Sequence, residues 1–149
     1  MLRQTTSKFL FLIAIITFLI SGIHTGPTSS TAKLQAAPLP SDRVIIYQFH
    51  RRFRCDSCYK LEVAINEALQ AHFPEEVKEG KVIFRVVDLD AEGSDPYEEK
   101  YDFFYNTVIV VDIENGEELR FKNLEEVWGL VEQKDVTIEF IRSHITEYL

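Results

Sequence analysis

The sequence predicts an α/β fold, with one mixed four-stranded sheet and helices on both faces. Three observations carry this. Short β-rich runs alternate with stretches of helical period. The first strand, helix and second strand make a βαβ unit, which requires parallel pairing and a right-handed crossover. Asn115-Gly116 lies between two later strand-like runs, and Asn-Gly is the strongest short hairpin signal because both turn positions need positive φ. A chain of 149 residues accommodates one ordinary domain, and 46% hydrophobic residues, with eleven Phe, supply its core.

The first forty residues stand apart from the fold. Arg3 and Lys8 precede an apolar run, Phe9 to Ile23, broken by Thr17, Ser21 and Gly22. A positive flank followed by a short apolar core is an export signal. Two readings stay open for residues 1–23, a cleaved signal peptide or a retained signal anchor. The run is short for a span, which usually needs about 20 residues, yet no small-x-small cleavage site directly follows it. In either case the domain is expected outside the cytoplasmic membrane, touching it only through this segment. Residues 24–41, with Gly26, Pro27, Pro38 and Pro40 among Ser, Thr and Ala, read as a flexible linker. The folded domain is expected over residues 42–149.

Within that domain, Val44 to Phe49 reads as a buried strand. Residues 57–72 place Leu61, Ala64, Ile65, Ala68 and Leu69 on one helical face, His72 suits the helix C-terminus, and Pro74 cannot extend the helix. Val82 to Leu89 is the second strand. Asp95 reads as a helix cap, with Pro96 at the first helical position and Glu98 reaching back, in a short helix ending near Asp102. Thr107 to Ile113 is the third strand, and Leu119 to Phe121 is its hairpin partner. Asn123 is expected to cap a helix through about Val131, with Trp128 beside Leu124, Val127 and Val131 in the core. Asp135 is expected to cap a last helix bearing Ile138, Ile141, Ile145, Tyr148 and Leu149 on its apolar side.

Charge and composition exclude several functions. Residues 41–149 hold thirteen basic and 24 acidic side chains, a net of −11, so no nucleic-acid partner is expected. There is no glycine-rich phosphate loop and no flavin or nicotinamide signature, so no cofactor is expected. Two cysteines are too few for a disulfide scaffold or an all-cysteine zinc site. Asp88-x-Asp90-x-Glu92-Gly93 followed by Glu99 approaches a calcium-loop pattern, but the segment before it is strand-like and Pro96 interrupts it.

What remains is Cys55-Asp56-Ser57-Cys58, at the junction of the first strand and the first helix. There the first sulfur meets unsatisfied backbone N–H groups and the positive end of the helix dipole, which favour a thiolate. The second sulfur is one turn on, within disulfide reach. A static disulfide is the alternative to a redox role. Arg51, Arg52 and Arg54 crowd this segment, and any of them close to the sulfur would lower the thiol pKa. His50 is a candidate proton partner, or a soft-metal ligand with Cys55 and Cys58.

The order of these elements around Cys55-x-x-Cys58 is similar to the thioredoxin-like superfamily over about residues 43–149. More narrowly, Tyr47-Gln48-Phe49-His50, then Phe53-Arg54-Cys55-x-x-Cys58 and Lys60, with Asn123-Leu124-Glu125-Glu126-Val127-Trp128, resembles the ArsF family. Its members are small exported thioredoxin-like proteins described as subunits of a nitrophenyl-compound nitroreductase. The cysteine segment and the resemblance together point to a thioredoxin-like fold and thiol–disulfide exchange with a protein partner, Cys55 attacking and Cys58 resolving, with Arg54, His50 and, from the resemblance, Thr107 as modulating residues. A soft-metal carrier and a non-catalytic accessory subunit are the alternatives. Thr107 stands where thioredoxins carry a cis-proline, so a trans bond and weaker general peptide recognition are expected there. Phe53-Arg54 replaces the tryptophan-containing segment usual before the first cysteine.

Overall fold

The computed structural model describes residues 38–149. The expected export segment, residues 1–23, and the linker as far as residue 37 lie outside the described residues. The last linker residues are already bound to the domain. The Pro40 carbonyl accepts from Arg43 Nη1 at 2.6 Å, and the Ser41 carbonyl accepts the Gly116 N–H at 2.9 Å.

The elements run β1 (Arg43–His50), α1 (Asp56–His72), α2 (Pro74–Glu79), β2 (Val82–Asp88), α3 (Asp95–Tyr101), β3 (Thr107–Glu114), β4 (Glu117–Asn123), α4 (Val127–Leu130) and α5 (Lys134–Tyr148). The sheet has the order β2-β1-β3-β4. β1 and β2 are parallel, as the βαβ unit requires, while β1–β3 and β3–β4 are antiparallel. β1 is therefore central, and its C-terminal end delivers the chain to the cysteine segment.

Side chains alternate across β1 and build two cores. Val44 and Ile46 face one side, packed with Leu61 and Ile65 of α1 and with Ile141 and Ile145 of α5. Ile45, Tyr47 and Phe49 face the other, under Tyr101 of α3 and Phe103. That second core is largely aromatic, with ring centroids of Phe49 and Phe103 4.8 Å apart and those of Tyr101 and Phe121 4.9 Å apart. Helices thus cover both faces, as expected.

Several local expectations are corrected. α1 stops before Pro74 as expected, but Pro74 then opens a further helix, α2, that was not expected, after Phe73 breaks α1 with φ −134° and ψ 36°. α2 buries no residue, so hydrophobic periodicity gives no sign of it. Ser94, not Asp95, stands at the α3 N-terminus, and its hydroxyl donates to the Leu89 and Ala91 carbonyls. Glu98 does not reach back along the helix but accepts from Arg51 Nη2 at 2.5 Å. Asn123 ends β4 instead of capping a helix, so β4 is longer than expected and α4 is one turn. Gln133 takes the N-cap position of α5 in place of Asp135, and Leu149 is 56% exposed. The hairpin is where the sequence puts it, with Asn115 at φ 53° and Gly116 at φ 83°.

Candidate functional site

Cys55 is the N-cap residue of α1, in extended conformation with φ −86° and ψ 166°. Its side chain is exposed, whereas Cys58, one turn into the helix, is fully buried. The Cys55 carbonyl accepts the Cys58 N–H at 3.0 Å, closing the first turn under the two sulfurs. The sulfurs are 2.9 Å apart, as a pair of free thiols.

The two thiols are electrostatically unequal. The Cys58 thiol, hydrogen-bonded to the Cys55 sulfur, holds the Cys55 pKa below its ordinary value, helped by the backbone N–H groups of Cys58, Cys55 and Ser57 and opposed by burial. Burial pushes the Cys58 thiol up, the hydrogen bond it donates to the Cys55 sulfur adds to this, and a hydrogen bond from Asn106 pulls the other way. The main causes of the lowered Cys55 pKa are the Cys58 thiol and the backbone N–H groups, and Arg51 and Arg54 are engaged with acids. Arg51 pairs with Asp90 at 3.3 Å and with Glu98 at 2.5 Å. Arg54 pairs with Glu62 and lies over the Tyr59 ring, 4.3 Å from its centroid. The Arg52 backbone N–H donates to Asp90 at 2.9 Å. Asp90, an acid of the calcium-like segment, is thereby tied to the cysteine loop.

His50 turns Nδ1 to the Arg51 carbonyl at 2.8 Å. Among the described residues no three His, Cys, Asp or Glu side chains converge as a metal site. The Thr107 hydroxyl donates to Asn123 Oδ1, tying the start of β3 to the end of β4. All peptide bonds among the described residues are trans, including the one before Thr107.

Two residues that the sequence did not single out meet the cysteines. Gln48, fully buried on β1, donates from Nε2 to the Cys58 carbonyl at 2.7 Å, while its Oε1 has no hydrogen-bond partner. A buried glutamine two residues before the end of an apolar strand was the available signal, because a polar side chain inside a core needs a partner. Asn106 donates from Nδ2 to Cys58 Sγ at 3.4 Å, and its Oδ1 accepts the Arg51 N–H at 3.0 Å. The residue facing the sulfurs from the β3 loop is therefore Asn106, one position before Thr107.

A groove of about 440 Å³ runs beside Cys55, lined by Arg51, Phe104, Tyr105, Asn106 and Trp128. Phe104 is 73% exposed, Tyr105 83% and, on the cysteine loop, Phe53 92%. Trp128 packs partly on the core but also walls this groove, so its expected place as a core residue is only half of its position. Isolated exposed apolar residues are ordinary, but aromatics gathered at one reactive atom mark a contact surface.

Human ERp44 in its zinc-bound form is similar in structure, with a TM-score of 0.50 at 20% identity, over 72% of this chain and 27% of that one. The reduced Schistosoma mansoni thioredoxin pre-protein gives 0.44 at 14% identity, covering 73% and 82% of the two chains. Fasciola hepatica thioredoxin gives 0.42 at 18% identity, covering 72% and 82%. These are likenesses of fold, and the fold is thioredoxin-like. No family model matches the sequence, and no curated protein matches it.

Proposed function

We propose that this chain performs thiol–disulfide exchange with cysteines of a protein partner. The observation that carries the reading is the inequality of the pair: an exposed Cys55 sulfur of lowered pKa, 2.9 Å from a buried Cys58 sulfur. The Cys55 thiolate attacks one sulfur of a partner disulfide. A mixed disulfide forms, and the other partner sulfur leaves as a thiolate and takes up a proton. Cys58 then loses its proton, bonds to Cys55 Sγ and expels the second partner thiolate, which is protonated in turn. Two electrons pass from the Cys55–Cys58 dithiol to the partner, and the reverse sequence oxidises it. The exposed Phe104 and Tyr105, which line the groove beside Cys55, favour a polypeptide over a small thiol, since they offer apolar contact next to the sulfur. On the resemblance of the Tyr47–Lys60 and Asn123–Trp128 segments, we also read the chain as an ArsF-type protein. We extend the proposal to work outside the cytoplasm, on the Arg3, Lys8 and Phe9–Ile23 pattern, where such a pair can cycle in an oxidising setting.

Among the described residues no third His, Cys, Asp or Glu side chain converges with the two sulfurs, which leaves the soft-metal reading two ligands. The test is equilibration against reduced and oxidised glutathione, with the pair followed by mass after acid quenching. A reversible two-electron transition, abolished by Cys55→Ser, is expected. A pair that stays oxidised or stays reduced across the whole series overturns the reading.

A further inference from the structure

Given exchange at Cys55 and Cys58, on which this inference rests, we propose that Asn106 is a catalytic residue of the second step. Its Nδ2–H group steadies the Cys58 sulfur as that sulfur becomes the attacking thiolate.

The orientation of the Asn106 amide follows from its other contact. The Arg51 backbone N–H can only donate, so the atom 3.0 Å from it must be the Asn106 oxygen. The amide nitrogen is then left facing Cys58 Sγ at 3.4 Å. One side chain thus fixes the cysteine loop with one end and meets the resolving sulfur with the other. Gln48 does not share this task, because its amide donates to the Cys58 carbonyl and not to the sulfur.

The need for a donor is greatest once the mixed disulfide exists. In the dithiol, the two sulfurs share a hydrogen bond at 2.9 Å. After Cys55 has bonded to the partner, its sulfur carries no proton and cannot donate to Cys58. Among the described residues, Asn106 is then the remaining side-chain donor to Cys58 Sγ. Cys58 is buried, so solvent offers little to a charge forming there. A donor to a charged acceptor is about twice as strong as one to a neutral acceptor, so this contact strengthens as the proton leaves. In that step the Cys58 sulfur bonds to Cys55 Sγ, the bond from Cys55 to the partner breaks, and the proton lost by Cys58 is balanced by the one taken up by the departing partner thiolate.

The gain in rate is moderated by basicity. A donor raises the fraction of thiolate but lowers its nucleophilicity, which recovers about half of the logarithmic effect. Loss of the contact is therefore expected to slow the second step about three- to tenfold.

The experiment uses the full chain, reduced, with one equivalent of an aromatic disulfide that releases a coloured thiolate. Attack by Cys55 releases one thiolate and resolution by Cys58 releases the second. Asn106→Asp keeps an oxygen for the Arg51 N–H and removes the donor. Asn106→Ala removes both. The ratio of second to first rate is expected to fall about three- to tenfold in N106A and at least as far in N106D, where a carboxylate also opposes the forming charge. An unchanged ratio in N106D overturns the proposal, and if N106A alone is slow, Asn106 merely ties the loop. In wild-type protein alkylated at Cys55, the Asn106 side-chain amide resonances are expected to move as Cys58 ionises. Resonances that stay fixed overturn the proposal without any variant. A wild-type protein that releases only the first thiolate fails the exchange reading itself, a different result from any of these.

Discussion

Cys55 and Cys58 belong to one helical turn, yet one sulfur meets solvent and the other does not. Brief iodoacetamide treatment of the reduced protein is expected to label Cys55 well before Cys58, because thiolate character and access coincide only at Cys55. Equal labelling, or Cys58 first, contradicts the assignment of attacking and resolving roles. The rate at Cys55 is expected to rise with pH along a titration whose midpoint lies below the ordinary thiol range, since its pKa is lowered in the fold. The sign carries over to stability. A lowered Cys55 pKa adds stability to the reduced fold above the unfolded thiol value, and that contribution is lost as pH falls through the folded value. Cys58 is shifted upward and acts in the opposite sense: its contribution is complete below the unfolded value and is lost as pH rises through the folded one.

At the scale of elements, the hairpin offers the sharpest test. Gly116 has φ +83° and nothing within 4 Å of where a Cβ would stand, so a larger residue there meets a conformational cost and no clash. Gly116→Val is expected to cost about 1–2 kcal/mol, the usual penalty for an L residue in the left-handed region. Denaturant unfolding measures it, and an unchanged midpoint would mean that the turn relaxes elsewhere. Asn115-Gly116 was legible because the requirement is local and carried by residue type. The strands and the α1 and α5 periods were legible for a similar reason, since each buries a regular face. α2 buries nothing and so left no pattern. Cap residues were misplaced by one to three positions, because Ser94, Gln133 and Glu126 make no side-chain cap hydrogen bond of the kind that residue type announces. The site was half legible in the same way. Cys55 and Cys58 announce themselves by spacing and by position between strand and helix. Asn106 lies 48 residues from Cys58 and meets it only because β3 pairs with β1. The arginines near Cys55 in sequence are drawn instead to Glu62, Asp90 and Glu98, acids that the fold brings up from elsewhere.

For the whole molecule, the net of −11 over residues 41–149 means that like charge opposes compaction. Screening reaches about 10 Å at 0.1 M salt. Thermal unfolding is therefore expected at higher temperature in 0.1 M salt than at low ionic strength, about a few degrees per kcal/mol of repulsion removed. A fall would mean that exposed ion pairs such as Lys60–Glu132 and Lys81–Glu79 outweigh the net charge. The central strand also gives the domain a polarity. β1 starts beside Asp42, whose carboxylate accepts the Asn115 N–H at 2.7 Å, and Asp42 borders the same surface cleft as Leu149. It ends at His50, at the cysteine loop. Eight residues of strand, rising about 3.3 Å from each to the next, place roughly 23 Å between those ends. Handles and chemistry therefore occupy opposite poles. A tether at residue 38 or a fused protein at Leu149 would hold the domain by its blunt end and leave the thiol pole facing outward, free to sweep the space around the point of attachment.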